Sequence, residues 1–378
     1  MSANATSTPE VSREEARDLL VDLVSIPSPS GDEAEAAERL VDFVRAHGRE
    51  AWLDEVGNVR APADDAVLLT SHVDTVPGEI PVAVEPADAD DPVAAEGADV
   101  LRGRGSVDAT GPLAAMAAAA VNAGVSFVGV VGEETDSRGA RHLVADRDPP
   151  EAVVNGEPSG ADGITLGYRG FLAGTYVATS ESGHTSRPDP NAVQHAIRWW
   201  SRVEKAFEDG VVPEERRDGD GDAGEAPVFE QVTAKPVAVD GGVSDDGLSV
   251  EATMDVQLRV PPALDVETVR ETTEAHLDVG TVSWADPIPP VMQSPRTDLA
   301  RAFRVAIRAE DGEPRLLRKT GTSDMNLYAD AWDCPMVTYG PGDSDLDHAP
   351  DERLPLAEFD RSVAVLERVA RTLRDDAA

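Results

Sequence analysis

The feature that most constrains the fold is a series of short apolar runs, each of which ends abruptly in a polar, potentially metal-binding side chain. In the first of them, the run 67–69 is followed by His72 and Asp74. Such a run is typical of a strand buried on both faces of a parallel sheet, and these sheets bind ligands beyond the carboxyl ends of their strands. His72 could therefore bind a metal, with the Asp74 carboxylate accepting the other ring N–H. On this segment alone, a structural histidine is the alternative.

The same pattern recurs along the chain, after further apolar runs and at one loop-to-helix junction. The side chains at these places are Asp108, Glu133, Glu134, Glu157 and His348. In a mostly parallel sheet with helical crossovers, all of them fall on one edge. Two histidines and several carboxylates without cysteine suit a pair of divalent first-row ions, with zinc as the default and cobalt or manganese as alternatives. Taken alone, the position of Asp108 at a loop-to-helix junction favours a helix N-cap over a metal ligand.

The pattern changes in residues 171–288, where apolar and polar residues alternate as in half-solvated antiparallel strands. We therefore predict an α/β protein in which residues 1–170 and 289–378 form a catalytic domain, with a mostly parallel sheet and flanking helices. Residues 171–288 are expected to form an inserted α+β domain for dimerisation or for covering a cleft. Within it, residues 228–239 are predicted to be a strand and residues 209–226 a Gly- and Asp-rich loop.

Local signals in the first domain predict several elements. Ser12, followed three residues later by Glu15, predicts a helix that begins with a capping box. Residues 52–59 are expected to form a single strand and residues 83–97 a hairpin. The alanine-rich stretch 109–124 is predicted to be a buried helix.

The net charge of −39, from 72 acidic and 33 basic residues, limits the range of partners. Only Lys205, Lys235 and Lys319 are lysines. An acidic, lysine-poor chain that keeps a full set of apolar strands indicates a halophilic protein, because molar salt screens the repulsion between its charges. The same charge argues against nucleic acid as a partner. Arg315, Arg318 and Lys319 form a basic cluster beside the later motifs.

The sequence shows no signal for membrane insertion. No apolar stretch approaches the roughly eighteen residues that span a bilayer, and the first residues lack a basic region followed by an apolar one. We therefore expect a cytoplasmic protein without a membrane partner. The single cysteine, Cys334, excludes an intrachain disulfide framework and a thiolate-rich zinc site.

These motifs resemble the di-zinc metallopeptidases that include acetylornithine deacetylase, succinyl-diaminopimelate desuccinylase and glutamate carboxypeptidases. The match runs in order through H-V-D-T-V-P, G-R-G-S-V-D, G-E-E, N-G-E-P and D-H-A-P-D-E, and so spans nearly the whole chain. The resemblance implies a di-zinc aminopeptidase-like fold with two Zn²⁺ ions per subunit and a homodimer.

The resemblance also implies a role for each candidate residue at the sheet edge. One ion would be held by His72, Asp108 and Glu157, and the other by Asp108, Glu134 and His348. Asp108 therefore bridges, and a cis peptide follows it. Glu133 would be the general base that takes a proton from the attacking water and delivers it to the leaving amine, with Asp74 also in the catalytic set.

Within this group the chain is similar to the hydrolases that release lysine or ornithine from the C-terminal glutamate of a small acidic amino-group carrier protein. The motifs behind this are G-I-T-L-G-Y-R-G, S-G-H-T-S-R-P, K-T-G-T-S-D-M-N and Y-G-P-G-D-S-D-L-D-H-A-P-D-E. By resemblance, His184 would stabilise the oxyanion across a dimer and Arg259 would bind a substrate carboxylate, while Thr322 and Asp324 would line the substrate pocket. The alternatives are a local loop role for His184, a surface ion pair for Arg259, and helix capping for Thr322 and Asp324.

We therefore expect a metal-dependent amide hydrolase that acts on a carrier-bound substrate in lysine or arginine biosynthesis. The closest rival is a small-molecule deacylase that acts on N-acetylornithine or N-succinyl-diaminopimelate. A rival of another class is a metal-binding interaction module without catalysis, against which the intact Glu133 argues.

Overall fold

The computed structural model describes residues 10–89, 91–95, 97–208 and 227–377. The predicted loop 209–226 lies outside these residues. The chain divides into two compact units, of which the first contains Met1–Leu166, Gln293–Leu317 and Ser323–Ala378. The second contains Gly167–Met292 and Arg318–Thr322. The predicted boundaries at 170 and 288 did not include the return of residues 318–322 to the second unit.

The helices of the described residues belong mostly to the first unit. They are α1 (Arg13–Val24), α2 (Ala34–Ala46), α3 (Thr110–Ala123), α4 (Arg138–Asp146), α5 (Ala192–Glu208), α6 (Val266–Glu274), α7 (Asp298–Ala309), α8 (Asp324–Ala331) and α9 (Leu356–Ala377). None of these helices has the length and apolar character needed to cross a membrane.

The strands form three sheets. They are β1 (Trp52–Leu53), β2 (Val59–Ala61), β3 (Asp64–His72), β4 (Ala83–Pro86), β5 (Asp99–Arg102), β6 (Val125–Val130), β7 (Val153–Gly156), β8 (Gly163–Tyr168), β9 (Gly170–Glu181), β10 (Thr233–Val243), β11 (Ser249–Val260), β12 (Thr281–Trp284), β13 (Val291–Met292), β14 (Arg315–Lys319), β15 (Met336–Thr338) and β16 (Arg353–Pro355).

The large sheet of the first unit is parallel at its centre. Its strands follow the order β1-β2-β6-β3-β7-β15-β8. Strand β3 pairs in parallel with β6 and β7, and β15 pairs in parallel with β7. The pairs β1/β2, β2/β6 and β15/β8 are antiparallel. The predicted parallel arrangement thus holds for the four strands whose carboxyl ends lead to His72, Glu133, Glu157 and His348, and the sheet as a whole is mixed.

The helix α3 is buried over almost its whole length, as its alanine content predicted. Small side chains on every face let it pack closely against β3, α1 and α9. It ends at Gly124, whose φ of +72° is the left-handed conformation that glycine adopts without strain. Arg49 donates to the carbonyl of Ala120 at 2.6 Å, so a cation also stabilises the carboxyl end of the helix.

A small sheet joins the end of the chain to the loop that precedes α3. Strand β16 pairs antiparallel with β5, and β5 pairs antiparallel with β4. The predicted hairpin is thus present as β4 and β5, and its second strand lies beyond residue 97. Through β16, residues 351–353 are brought beside the loop 103–108.

Two local predictions have different outcomes. The capping box of α1 is confirmed, since Ser12 and Glu15 each accept the hydrogen bond of the other's main chain. The single strand at 52–59 is wrong. The Asp54 carboxylate accepts the N–H groups of Val56 and Asn58 at 3.1 and 2.9 Å and turns the chain between β1 and β2.

The second unit is a four-stranded antiparallel sheet in the order β10-β11-β9-β12, with α5 and α6 packed on it. Its core contains Tyr176 stacked on Trp199, with ring centroids 4.6 Å apart. Residues 228–239 are not a single strand, because Val228–Glu230 form a 3-10 helix and β10 begins at Thr233.

We expect the melting temperature to rise with potassium chloride into the molar range. With 72 acidic against 33 basic residues, mutual repulsion destabilises the compact state, and a Debye length of about 3 Å at 1 M salt removes most of it. Thermal unfolding in chloride tests this cleanly, since sulfate would also stabilise through exclusion from the protein surface. A melting temperature that stays flat above about 0.1 M salt would contradict halophilic adaptation.

Candidate metal centre

His72 ends the central strand β3 and is buried. Its Nε2 atom lies 3.2 Å from Oδ1 of Asp108. Its Nδ1 atom lies 2.8 Å from the main-chain carbonyl oxygen of Asp74 but 3.7 Å from the Asp74 carboxylate. The prediction that the Asp74 carboxylate accepts the ring N–H is therefore wrong, because the main-chain carbonyl of Asp74 is the acceptor. The main-chain carbonyl fixes the ring orientation and leaves Nε2 for a metal.

The Asp74 carboxylate instead orders the segment after β6. It accepts the main-chain N–H groups of Glu133 at 3.0 Å and Glu134 at 3.1 Å, together with the hydroxyl of Ser30 at 2.6 Å. Two adjacent glutamates are thus held by one buried carboxylate. Asp74 contributes to the site by positioning Glu133 and Glu134, and Ser30 is a contact that the sequence pattern did not indicate.

Asp108 lies at the meeting point of the candidate ligands. Nε2 of His348 is 3.1 Å from Oδ2 of Asp108 and 3.1 Å from Oε1 of Glu134. The N-cap of α3 is Ala109, so the alternative that Asp108 caps this helix is wrong. The peptide bond between Asp108 and Ala109 is cis, as the resemblance implied.

The ligand atoms are close enough to share a cation. One donor atom each from His72, Asp108 and Glu134 lie within 4.8 Å of one another. Glu157 follows β7, and its charge raises the pKa of both His72 and Glu133. The structure therefore brings all five predicted ligands to the same edge of the sheet.

The electrostatics of this cluster are those of a cation site. Burial raises the pKa of Glu133 well above its usual value, and the neighbouring Glu157 raises it further. Burial likewise raises the pKa of Glu134. Hydrogen bonding to Asp108 raises the pKa of His348 to about 9. The carboxylates disfavour each other's ionisation, and the histidines act as their counter-charges. Together they form a set of nitrogen and oxygen donors that fits divalent metal ions.

Asp324, a predicted substrate-pocket residue, is buried. Burial, together with the charge of Asp74, raises the pKa of Asp324 to about 7. Its own charge raises the pKa of Glu133. The N-cap of α8 is Ser323, so Asp324 is not the capping residue.

The remaining predicted site residues belong to the second unit. The Arg259 guanidinium donates to the Thr322 hydroxyl at 3.1 Å and stacks over the Phe171 ring, 4.6 Å from its centroid. Burial lowers the pKa of Arg259. The surface ion pair considered for Arg259 is not among its contacts with the described residues, and Thr322 is the partner of Arg259 rather than a helix cap.

His184 lies on an exposed loop of the second unit. Its Nδ1 atom accepts the main-chain N–H of Ser186 at 3.2 Å and lies 2.8 Å from the Ser186 hydroxyl. Because Nδ1 accepts from the main chain, the neutral ring carries its proton on Nε2. His184 therefore has the local contact expected of a loop residue and also a donor that it could offer elsewhere.

Comparison with known proteins agrees with this geometry. Residues 68–372 match the model of peptidase family M20/M25/M40. The chain is 39% identical over 373 residues to the LysW-lysine hydrolase of Deinococcus radiodurans, covering 95% of this chain and 97% of that protein. It is 27% identical over 358 residues to the LysW-lysine/LysW-ornithine hydrolase of Sulfurisphaera tokodaii, covering 93% of each.

Solved structures show the same fold. An M20 family metallo-carboxypeptidase from Sulfolobus solfataricus superposes with a TM-score of 0.73 at 19% identity, covering 96% of this chain and 99% of that one. The predicted α/β class is thereby confirmed.

Histidines and carboxylates gathered at the strand ends of an α/β sheet define a metal-dependent amide hydrolase. The chain belongs to peptidase family M20/M25/M40.

Proposed function

We propose that the enzyme releases lysine, ornithine or both from the C-terminal glutamate of a small acidic amino-group carrier protein, as a step of amino-acid biosynthesis. The observation that carries the proposal is the 39% identity, along 95% of the chain, with a LysW-lysine hydrolase. We take LysW in that name to be the carrier that the sequence motifs indicated. A cytoplasmic location suits this role and stays a prediction.

Two divalent ions per subunit, zinc by default and cobalt or manganese as alternatives, are assigned to the centre. His72, Asp108 and Glu157 would hold one ion, and Asp108, Glu134 and His348 the other. Ions bound there supply Lewis-acid polarisation of the amide carbonyl and lower the pKa of water. The mutual contacts of Asp108, Glu134 and His348 support this set.

Glu133 is the proposed general base. It takes a proton from the attacking water and delivers it to the leaving α-amino group. Burial and then the charge of Glu157 raise the pKa of Glu133, which favours its acceptance of the proton from water. The hydrogen bond from its main chain to Asp74 holds it beside the ligands.

The pair of Arg259 and Thr322 is the proposed binding site for a substrate carboxylate. A half-buried guanidinium that contacts a hydroxyl and an aromatic face, in a chain of charge −39, is suited to bidentate recognition of a carboxylate. Asp324 is kept as a pocket residue that acts through the charges of the centre.

A homodimer formed through the second unit is proposed as well. Strand β10 ends its sheet, and its outer edge pairs with no strand of the described residues. Val239 and Val243 on β10 are 59% and 64% exposed, and Ile197 on α5 is 54% exposed. Apolar side chains on an open sheet edge of such an acidic protein favour association with a second copy.

The substrate is tested by comparing carrier and small-molecule amides. A peptide that ends in glutamate, with lysine joined through its α-amino group to the side-chain carboxyl, should be hydrolysed with kcat/KM about 10²-fold above that for N-acetylornithine, or about 3 kcal/mol. Mass spectrometry of the released amine measures both reactions. Equal or faster turnover of N-acetylornithine or N-succinyl-diaminopimelate would favour the deacylase alternative.

A further inference from the structure

The carboxylate of Glu352 is fully buried, at 0% exposure, and every close partner it has among the described residues is a donor. Its Oε1 atom accepts the main-chain N–H groups of Val107 at 2.8 Å and Asp108 at 3.0 Å. Its Oε2 atom accepts the N–H of Gly105 at 3.1 Å and the Arg104 guanidinium at 2.8 Å. One side chain therefore accepts from three main-chain N–H groups of the turn 105–108 and from one cation.

These contacts join the two segments that carry candidate ligands. The turn that Glu352 holds ends in Asp108, whose own N–H is one of the donors. Glu352 follows His348 by four residues in the chain, and Nε2 of His348 lies 3.1 Å from the Asp108 carboxylate. The two ligands come from positions 240 residues apart in the sequence, so their relative placement depends on such long-range contacts.

We propose that Glu352 is a positioning residue that fixes the Asp108 turn against the His348 segment and thereby sets the metal affinity of the centre. This inference rests on the proposed function in taking Asp108 and His348 as metal ligands. Residues that orient ligands from behind typically change metal affinity by 10- to 100-fold when they are replaced, without touching the metal themselves.

A purely structural role is the alternative, because a buried carboxylate that accepts main-chain donors also stabilises the fold. Asp54 provides the matched control. It accepts the N–H groups of Val56 and Asn58 and the guanidinium of Arg60, the last at 2.7 Å, and it carries no candidate ligand. Asp54 and Glu352 thus make similar contacts in the same unit, but only Glu352 accepts the main-chain N–H of a candidate ligand.

The experiment compares Glu352→Gln with Asp54→Asn in the full-length protein. Each change keeps the side-chain size and places an amide N–H₂ among groups that donate. The dissociation constants for zinc and cobalt are measured by competition with a chromophoric chelator, and the unfolding of the metal-free proteins is measured in parallel. We expect Glu352→Gln to raise the metal dissociation constant about 10- to 100-fold, and Asp54→Asn to change it less than about threefold although both lose stability.

The inference would be overturned if Glu352→Gln bound metal within threefold of the wild-type affinity, or if both variants lost affinity equally. Either result would leave the proposed metal centre intact. Wild-type protein that binds no metal would overturn the proposed centre as well. If Glu352→Gln does not fold, hydrogen exchange of the wild type is the second test. The amides of Val107 and Asp108 should be protected before metal is added, and exchange at the rate of an unfolded peptide would contradict the positioning role.

Discussion

Replacing Glu133 with glutamine is expected to lower kcat by about 10²- to 10⁴-fold, the range that a general base contributes, while the metal content stays unchanged. The amide cannot take the proton of the attacking water, yet it keeps the size of the carboxylate. The main-chain hydrogen bond to Asp74 is unaffected, because it does not involve the side chain. Steady-state kinetics and metal analysis of the same preparation give both readouts.

Glu134→Gln and His72→Ala are the matched controls for this prediction. Both remove a candidate ligand, so both should lose metal together with activity, and added zinc or cobalt should restore little. Dialysis of the wild type against a chelator should abolish activity reversibly. Loss of metal from Glu133→Gln would mean that Glu133 and Glu134 exchange the roles proposed for them.

Replacing His184 with alanine is expected to lower kcat by about 10²- to 10³-fold, the effect of removing one donor to a developing oxyanion. We expect this donor to act in the active site of the partner subunit of the proposed dimer. Mixing the inactive variants His184→Ala and Glu133→Ala then restores activity, because each heterodimer has one site with both residues intact. Random exchange makes half of the dimers mixed, each with one working site of two, so about a quarter of wild-type activity returns.

Ser186→Ala is the control for a local role of His184. The Ser186 hydroxyl lies 2.8 Å from the His184 ring. If His184 only ordered its own loop, Ser186→Ala should lower kcat almost as much as His184→Ala. We expect Ser186→Ala to retain most of the activity, because the main-chain N–H of Ser186 still holds Nδ1. Mixtures that recover nothing, although exchange of subunits is shown by native mass spectrometry, would place His184 in its own subunit.

The central sheet and its ligand-bearing ends could be predicted because each signal is local. Residues 67–69 lie in the buried part of β3, which ends at His72. Glu133 and Glu157 closely follow β6 and β7, so parallel pairing of these strands brings the three side chains together. The family resemblance added the roles of these residues.

The contacts that orient the ligands could not be predicted, because they join residues that are distant in the chain. Nothing around Asp74 indicates that its carboxylate faces two N–H groups from another strand end rather than the ring of His72. The residues 52–59 were misassigned for a local reason. The apolar residues at both ends of this stretch favour a strand, whereas Asp54, Gly57, with φ of +99°, and Asn58 are typical of the turn that the structure has there.

The pairing of β16 with β5 has a consequence for the order in which the protein can mature during synthesis. The turn that ends in Asp108 is held by Glu352, 244 residues later, and β15 enters the sheet between β7 and β8 only after nearly all other strands have been made. An incomplete chain on the ribosome therefore has His72 but neither His348 nor the restraint on Asp108. The proposed metal centre can be completed only after residues 348–352 have emerged from the ribosome, so we expect metal to bind late in synthesis or after it.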